Sequence, residues 1–199
     1  FCVVSSTMAE FNWRSHAMAR WWDTLVGHAF GEFRQLLEAV SLHPAMGYFL
    51  NTRGNQKEDT KTGRVPDENY AREVMQLFTI GLYELNLNGT EKTDAAGKRI
   101  DSYTQSDVTN LARVFTGYDF DRSDGVRITV PNQTYTIESR EFARKPMLLT
   151  ASKHSTLEST FLGTTIPANT PAAEALKTAL DTLFNHPNVG PFFARQMIQ

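Results

Sequence analysis

The chain has 199 residues, enough for one generous domain or two very small ones. With 20 Lys and Arg against 22 Asp and Glu, the formal net charge of −2 leaves no basic footprint for nucleic acid or an anionic membrane. The single cysteine, Cys2, excludes an internal disulfide framework and a Cys-rich zinc site, and no apolar run approaches the ~20 residues that cross a bilayer.

Residues 7–27, with Met8, Phe11, Met18, Trp22 and Leu25, read as a first helix with an irregular apolar stripe. Phe33, Leu36, Leu37 and Val40 then recur at i, i+3, i+4 and i+7 and predict an amphipathic helix. Leu42-His-Pro-Ala-Met-Gly-Tyr-Phe49 follows. The residue before proline is pushed out of the α region and proline suits a first helical turn, so this is a sharp helix–helix corner. From Asn51 to Pro66 the one bulky apolar residue is Val65, which predicts a solvated, mobile loop over 52–66. Tyr70, Val74, Leu77 and Phe78 form a second regular stripe, closed by Gly81. Over 84–101, Asn88-Gly89 and Ala96-Gly97 are turn signals between short segments able to pair as a hairpin.

Val108, Leu111, Ala112 and Phe115 make a third stripe, closed by Gly117. Val126 to Glu138 alternates β-branched and polar residues around Pro131-Asn132 and reads as a β-hairpin excursion over 126–138. Leu176, Leu180, Leu183 and Phe184 form a fourth stripe, with Thr170 as N-cap and Pro171 at the first helical position. Asn185-His-Pro-Asn-Val-Gly-Pro-Phe192 then echoes residues 42–49 as a second corner, in which each histidine ring is free to bond an orphan carbonyl at the helix end. The expected fold is mainly α: one α-rich domain over 1–199, a multi-helix array with helix–Pro–helix corners and one or two small β-hairpins. Phe1 is not an initiator Met, and the last residues stop in mid-pattern. Both ends therefore read as cuts in a longer protein.

Candidate chemistry is sparse. Asn69, Arg72, Glu73 and Gln76 follow i, i+3, i+4, i+7 and share one polar helix face, with Tyr70 beside them as a further substrate contact. Such a face can hold a substrate or a hard cation, or it can be an ordinary solvated surface. Asp107 can serve as a base or a metal ligand, yet Thr104-x-x-Asp107 also has the spacing of a capping box. His154 lies in the polar run Ser152-Lys-His-Ser-Thr156, where no capping role is evident, and is the leading catalytic or ligand candidate. No His-x-x-x-His or His-Glu-x-x-His spacing occurs, and neither does a serine-nucleophile elbow, a phosphate loop or a dinucleotide fingerprint. Glu84-x-Asn86-x-Asn88-Gly89 imitates half of a calcium loop, but Ala95 stands where the bidentate Glu would be needed, leaving a turn. Cys2 reads as buried, and Trp21-Trp22 as core or interface aromatics.

Asp67-Glu-Asn-Tyr-Ala-Arg-Glu-Val-Met-Gln-Leu-Phe-Thr-Ile-Gly81 resembles the signature of the bacterial family called domain of unknown function 1800. Further blocks fall in matching order: Ala29–Arg34, His43–Met46, Tyr103–Val108, Leu111–Gly117, His154-Ser155, Phe161–Gly163 and His186-Pro187. The resemblance implies a longer bacterial protein carrying an export signal, acting in the periplasm or outside the cell. It also implies departures at Gln76, Ser155 and Ser159, where many members carry Glu, Asp and Lys. Two expectations follow. One is a helical scaffold or binding protein of the envelope, docking a protein partner near Trp21, Trp22 and Phe30. The other is a hydrolase in which Glu73, Asp107 and His154 act as acid–base groups or ligate a divalent metal.

Overall fold

The computed structural model describes residues 15–137, 139 and 141–198. Cys2, Met8 and Phe11, and with them the start of the helix expected over 7–27, lie outside these residues. The chain divides into two compact units, each made of discontinuous segments.

In the first unit, residues 15–54 and 118–150, α1 (Ser15–Gly27) packs on α2 (Phe33–Ser41) and on α3 (Pro44–Phe49). Trp21, Leu37, Val40, Ala45 and Met46 are buried there together with Phe120, Phe142 and Met147. Gly47 permits this packing, since a Cβ at that position would meet the Met147 thioether and push that flexible side chain aside. The corner between α2 and α3 forms because His43 sits in an extended conformation ahead of Pro44 and caps α3. Its ring accepts the Ala45 amide, whereas the sequence suggested a bond to a carbonyl. Two antiparallel ribbons complete the unit: β1 (Tyr118–Asp119) with β4 (Leu148–Leu149), and β2 (Val126–Val130) with β3 (Gln133–Ile137). In the second ribbon Val126 faces Ile137 and Ile128 faces Tyr135, and all four stay at least two-fifths exposed.

The second unit, residues 55–117 and 151–198, centres on α4 (Asn69–Glu73), which runs on as a wider π-helical turn over Val74–Thr79. The Thr79 hydroxyl donates to the Val74 carbonyl five residues back, matching that wider turn. Tyr70, Val74, Met75 and Phe78 pack in a core with Leu111 and Phe115 at α5 (Gln105–Val114), and with Leu180 and Leu183 of α6 (Ala172–Phe184). The Tyr70 and Phe115 rings meet nearly perpendicular, 4.7 Å between centroids. The short ribbon β5 (Ser159–Phe161) and β6 (Thr164–Ile166) covers α5. α6 starts one residue later than the sequence suggests, with Pro171 in the N-cap position. At the second corner the His186 ring again accepts an amide, that of Asn188, but α7 (Val189–Ile198) starts after Pro187 instead of at it. Segment 55–67 is tied at both ends by Asn55, whose side chain donates to the Asp67 carbonyl and accepts the Asp67 amide.

The mainly α expectation is thereby corrected. Helix accounts for 43% of the structure and strand for 15%, which makes it mixed α and β. Two of the three ribbons have strands of two or three residues, too short to show an alternation in sequence.

Candidate functional site

Asn69, Arg72, Glu73 and Gln76 are all half-buried on α4 and its continuation. The Arg72 guanidinium bonds Glu68 at 3.2 Å and the Gln105 side-chain oxygen at 3.0 Å. Glu68 in turn accepts from Gln105 at 2.8 Å and from the Thr109 hydroxyl at 2.7 Å, so Arg72 belongs to a polar seam joining α4 to α5. Gln76 accepts the Tyr103 hydroxyl at 3.3 Å. Partial burial raises the Tyr103 pKa, and Glu73 adds to the rise while Arg72 opposes it. Tyr70 is in the core, 1% exposed, and points away from this face.

Asp107 completes a capping box: it accepts the Thr104 amide at 2.7 Å while the Thr104 hydroxyl accepts the Asp107 amide. Its other oxygen takes the Leu162 amide at 2.7 Å, pinning the turn between β5 and β6. His154 is buried, its Nδ1 2.9 Å from the Thr116 carbonyl. In that bond Nδ1 is the donor, since a carbonyl oxygen only accepts. Beside it the Ser155 hydroxyl donates to the Glu58 carboxylate at 2.9 and 3.0 Å, and the Ser155 amide donates to Thr116 Oγ1. The ring lines a crevice of only about 10 Å³, room for a single water. No hydrogen bond links any two of Glu73, Asp107 and His154. Among the described residues, no three His, Cys, Asp or Glu side chains gather where a metal ion could be held.

A larger cleft lies within the first unit. It encloses about 570 Å³ between α1, α2 and residues 144–146, a volume typical of small-molecule sites. His43 lies in its wall, 5% exposed, with the Trp21 ring edge-on at 5.0 Å. Because Nδ1 accepts the Ala45 amide at 3.1 Å, a neutral His43 must carry its proton on Nε2. That buried Nε2–H is closed off from solvent and has the Arg20 carbonyl as its polar neighbour. Burial, reinforced by the Arg20 charge and only partly offset by that carbonyl, lowers the His43 pKa to about 4. The ring is therefore a neutral donor near pH 7.

Charged groups stand around it. Lys145 pairs with Asp124 at 3.1 Å and Arg144 with Glu141 at 3.4 Å, while Glu38 pairs with Arg34 at 2.8 Å. Arg20 and Asp23, one helical turn apart on α1, make no side-chain hydrogen bond or ion pair among the described residues. Nothing in the sequence singles out Arg20 and Asp23, since two opposite charges on an irregular helix match no motif, whereas the corner role expected of His43 is one that the ring fills with one nitrogen.

Among the described residues, no helix is long and apolar enough to cross a membrane. No curated protein and no solved structure matches the chain. A family model described as protein of unknown function (DUF1800) does match, over residues 2–199, and on that match the chain belongs to the DUF1800 family.

Proposed function

We propose that this chain is a binding protein whose first unit takes a small ligand in the cleft between α1, α2 and residues 144–146. The observation that carries the reading is the cleft itself, about 570 Å³, with the exposed opposite charges of Arg20 and Asp23 on its α1 wall. The setting, periplasmic or extracellular in a bacterium, rests on the family resemblance alone. A fragment screen of the full chain by amide NMR tests the reading: binders should shift the Thr24, Ala39 and Leu42 amides together. Binders that cluster instead on the α4 face or around His154 would move the site there.

A protein partner in the envelope is a second reading, favoured by one observation. Trp22 and Val26 lie on one side of α1 and are 53% and 70% exposed, and Phe30 just beyond the helix is fully exposed. Cross-linking from a photoreactive group at position 26 in whole cells should capture one discrete partner; labelling no protein would remove this reading. A hydrolase built on Glu73, Asp107 and His154 has no comparable support, because Asp107 and His154 are engaged by different neighbours and no hydrogen bond joins either of them to Glu73.

A further inference from the structure

We infer that the ribbon β2–β3 is a self-association surface: the open edge of β2 pairs antiparallel with β2 of a second copy of this chain, across a two-fold axis at Ile128. The pairing makes a four-stranded sheet and uses no residue of the cleft, so it is independent of the binding reading above.

Alone, the ribbon is an unfinished sheet. Both of its five-residue strands are exposed throughout, and no backbone hydrogen bond joins either strand to another element among the described residues. Two strands by themselves are marginal in water, and three or more are the usual minimum. The edge also lacks the devices that keep strands apart. Pro131 sits in the turn instead of a strand, and Arg127 is the one charged residue between Val126 and Ile137.

The hydrogen-bond alternation of the ribbon decides what fits that edge. The two-residue turn Pro131-Asn132 makes Val130 and Gln133 a hydrogen-bonded pair, and Ile128–Tyr135 and Val126–Ile137 are then hydrogen-bonded pairs as well. The amides and carbonyls of Arg127 and Thr129 therefore point away from β3, toward the open edge. They flank Ile128, so a second β2 running antiparallel sets Arg127 of each copy opposite Thr129 of the other, and the two pairs exchange four main-chain hydrogen bonds. The same register puts Val126 opposite Val130 and Ile128 opposite Ile128, all on one face. A one-residue slip would set apolar against polar side chains, and a two-residue slip in one direction would oppose the two Arg127 charges. Self-pairing of β3 about Tyr135 would set Gln133 against Ile137, so β2 is the edge that complements itself. The contact covers a few hundred Å² per copy, against roughly 800 Å² in a standard stable interface, and the dimer is accordingly a weak one that forms with concentration.

The test is sedimentation velocity of the full chain over a concentration series from about 5 to about 500 µM, where the monomer should give way to a dimer and go no further. Cross-linking reports the register. In a Cys2→Ser background, Ile128→Cys should give a disulfide-linked dimer on mild oxidation, because the Cα atoms of a non-hydrogen-bonded pair stand about 4.5 Å apart, within disulfide reach. Thr134→Cys, on the far strand, should give none. Thr129→Pro removes an outward amide without touching the ladder inside the ribbon; it should weaken the dimer about tenfold or more while the circular dichroism of the monomer stays unchanged. A monomer at every concentration overturns the inference, and so does a dimer that Thr129→Pro does not weaken or that Thr134→Cys cross-links as readily as Ile128→Cys. Growth beyond the dimer overturns it too, since a two-fold contact closes on itself. If the chain stays monomeric but floats with vesicles of phosphatidylcholine and phosphatidylglycerol, and Ile128→Lys abolishes that flotation, the ribbon serves a lipid surface and not a second copy.

Discussion

With Nδ1 engaged by the Ala45 amide and its face walled by Trp21, His43 can accept a second proton only by placing charge in a buried site beside Arg20. Its folded pKa of about 4 lies below the 6.5 of an unfolded histidine, so on acidification the unfolded chain binds the proton first. The sign is therefore fixed: stability is full above pH 6.5, falls as pH drops from 6.5 to about 4, and levels off below that. The loss attributable to this ring is roughly 3 kcal/mol. Urea unfolding at a series of pH values should show that slope, flattened in His43→Asn. Part of the residual slope will be His186, whose pKa half-burial also lowers. An undiminished slope in His43→Asn would place the acid sensitivity elsewhere. Asp107 behaves in the opposite sense. Partial burial pushes its pKa up, but hydrogen bonds from the Thr104 hydroxyl, the Leu162 amide and the Thr104 amide outweigh it, and the net shift is downward. Its contribution is present above the ordinary carboxylate pKa near 4 and is lost as pH falls through the lower folded value. Leu162 holds a left-handed backbone, φ 48°, that a side chain disfavours, and Asp107 helps to keep it there. Asp107→Ala should destabilise the chain by about 1–3 kcal/mol in urea melts, with Asp107→Asn between it and the parent. If Asp107→Ala matches the parent in stability, the cap and turn roles are both wrong.

Elements were legible in proportion to their length and period. Phe33–Val40 and Leu176–Phe184 repeat with the helical spacing over two turns or more, and α2 and α6 contain them. The π-helical turn after Glu73 could not be read, because the stripe Tyr70-Val74-Leu77-Phe78 fits an ordinary helix and leaves Leu77 54% exposed. What closes that element is a contact over a hundred positions away. Asn188 donates to the Ile80 and Tyr83 carbonyls at 2.6 and 2.8 Å and accepts the Leu85 amide at 2.7 Å. Both donors and one of the two lone pairs of this 3% exposed side chain thus go to holding residues 80–85 against the start of α7. The sequence showed Asn188 only as one member of the repeated corner. Asn188→Ala leaves three backbone groups without partners and should cost about 2–4 kcal/mol, with faster hydrogen exchange at Leu85 than in the remainder of the unit. Uniform exchange across the unit would show that Asn188 stabilises it only globally. Gly81 beside it has φ 71°, and any Cβ there meets the Phe192 ring, so Gly81→Ala should destabilise α7 through a second route.

Chain connectivity explains why the cleft, unlike the helices, had no signature. Its wall takes Arg20 and Asp23 from α1, His43 from the corner and Arg144 from between β3 and β4, a span of 124 positions (144 − 20) with no shared spacing. The same connectivity governs folding of the second unit. α5 is covered by the ribbon β5–β6, and the π-helical turn packs on α6 and α7, yet all four partners come from residues 151–198. Residues 55–117 alone would keep the capping box, the α4–α5 seam and the Tyr70–Phe115 contact. They would also expose the faces of Leu111, Met75 and Phe78 that those later elements bury, in a segment whose size alone makes its core marginal. A peptide of residues 55–117 should therefore show no cooperative thermal transition by circular dichroism. Adding residues 151–198 in trans should restore helical signal and a melt, because the missing cover arrives as one block of ribbon and two helices. A cooperative melt from 55–117 by itself would mean that its hydrogen-bonded seam suffices and that the later segment only decorates it.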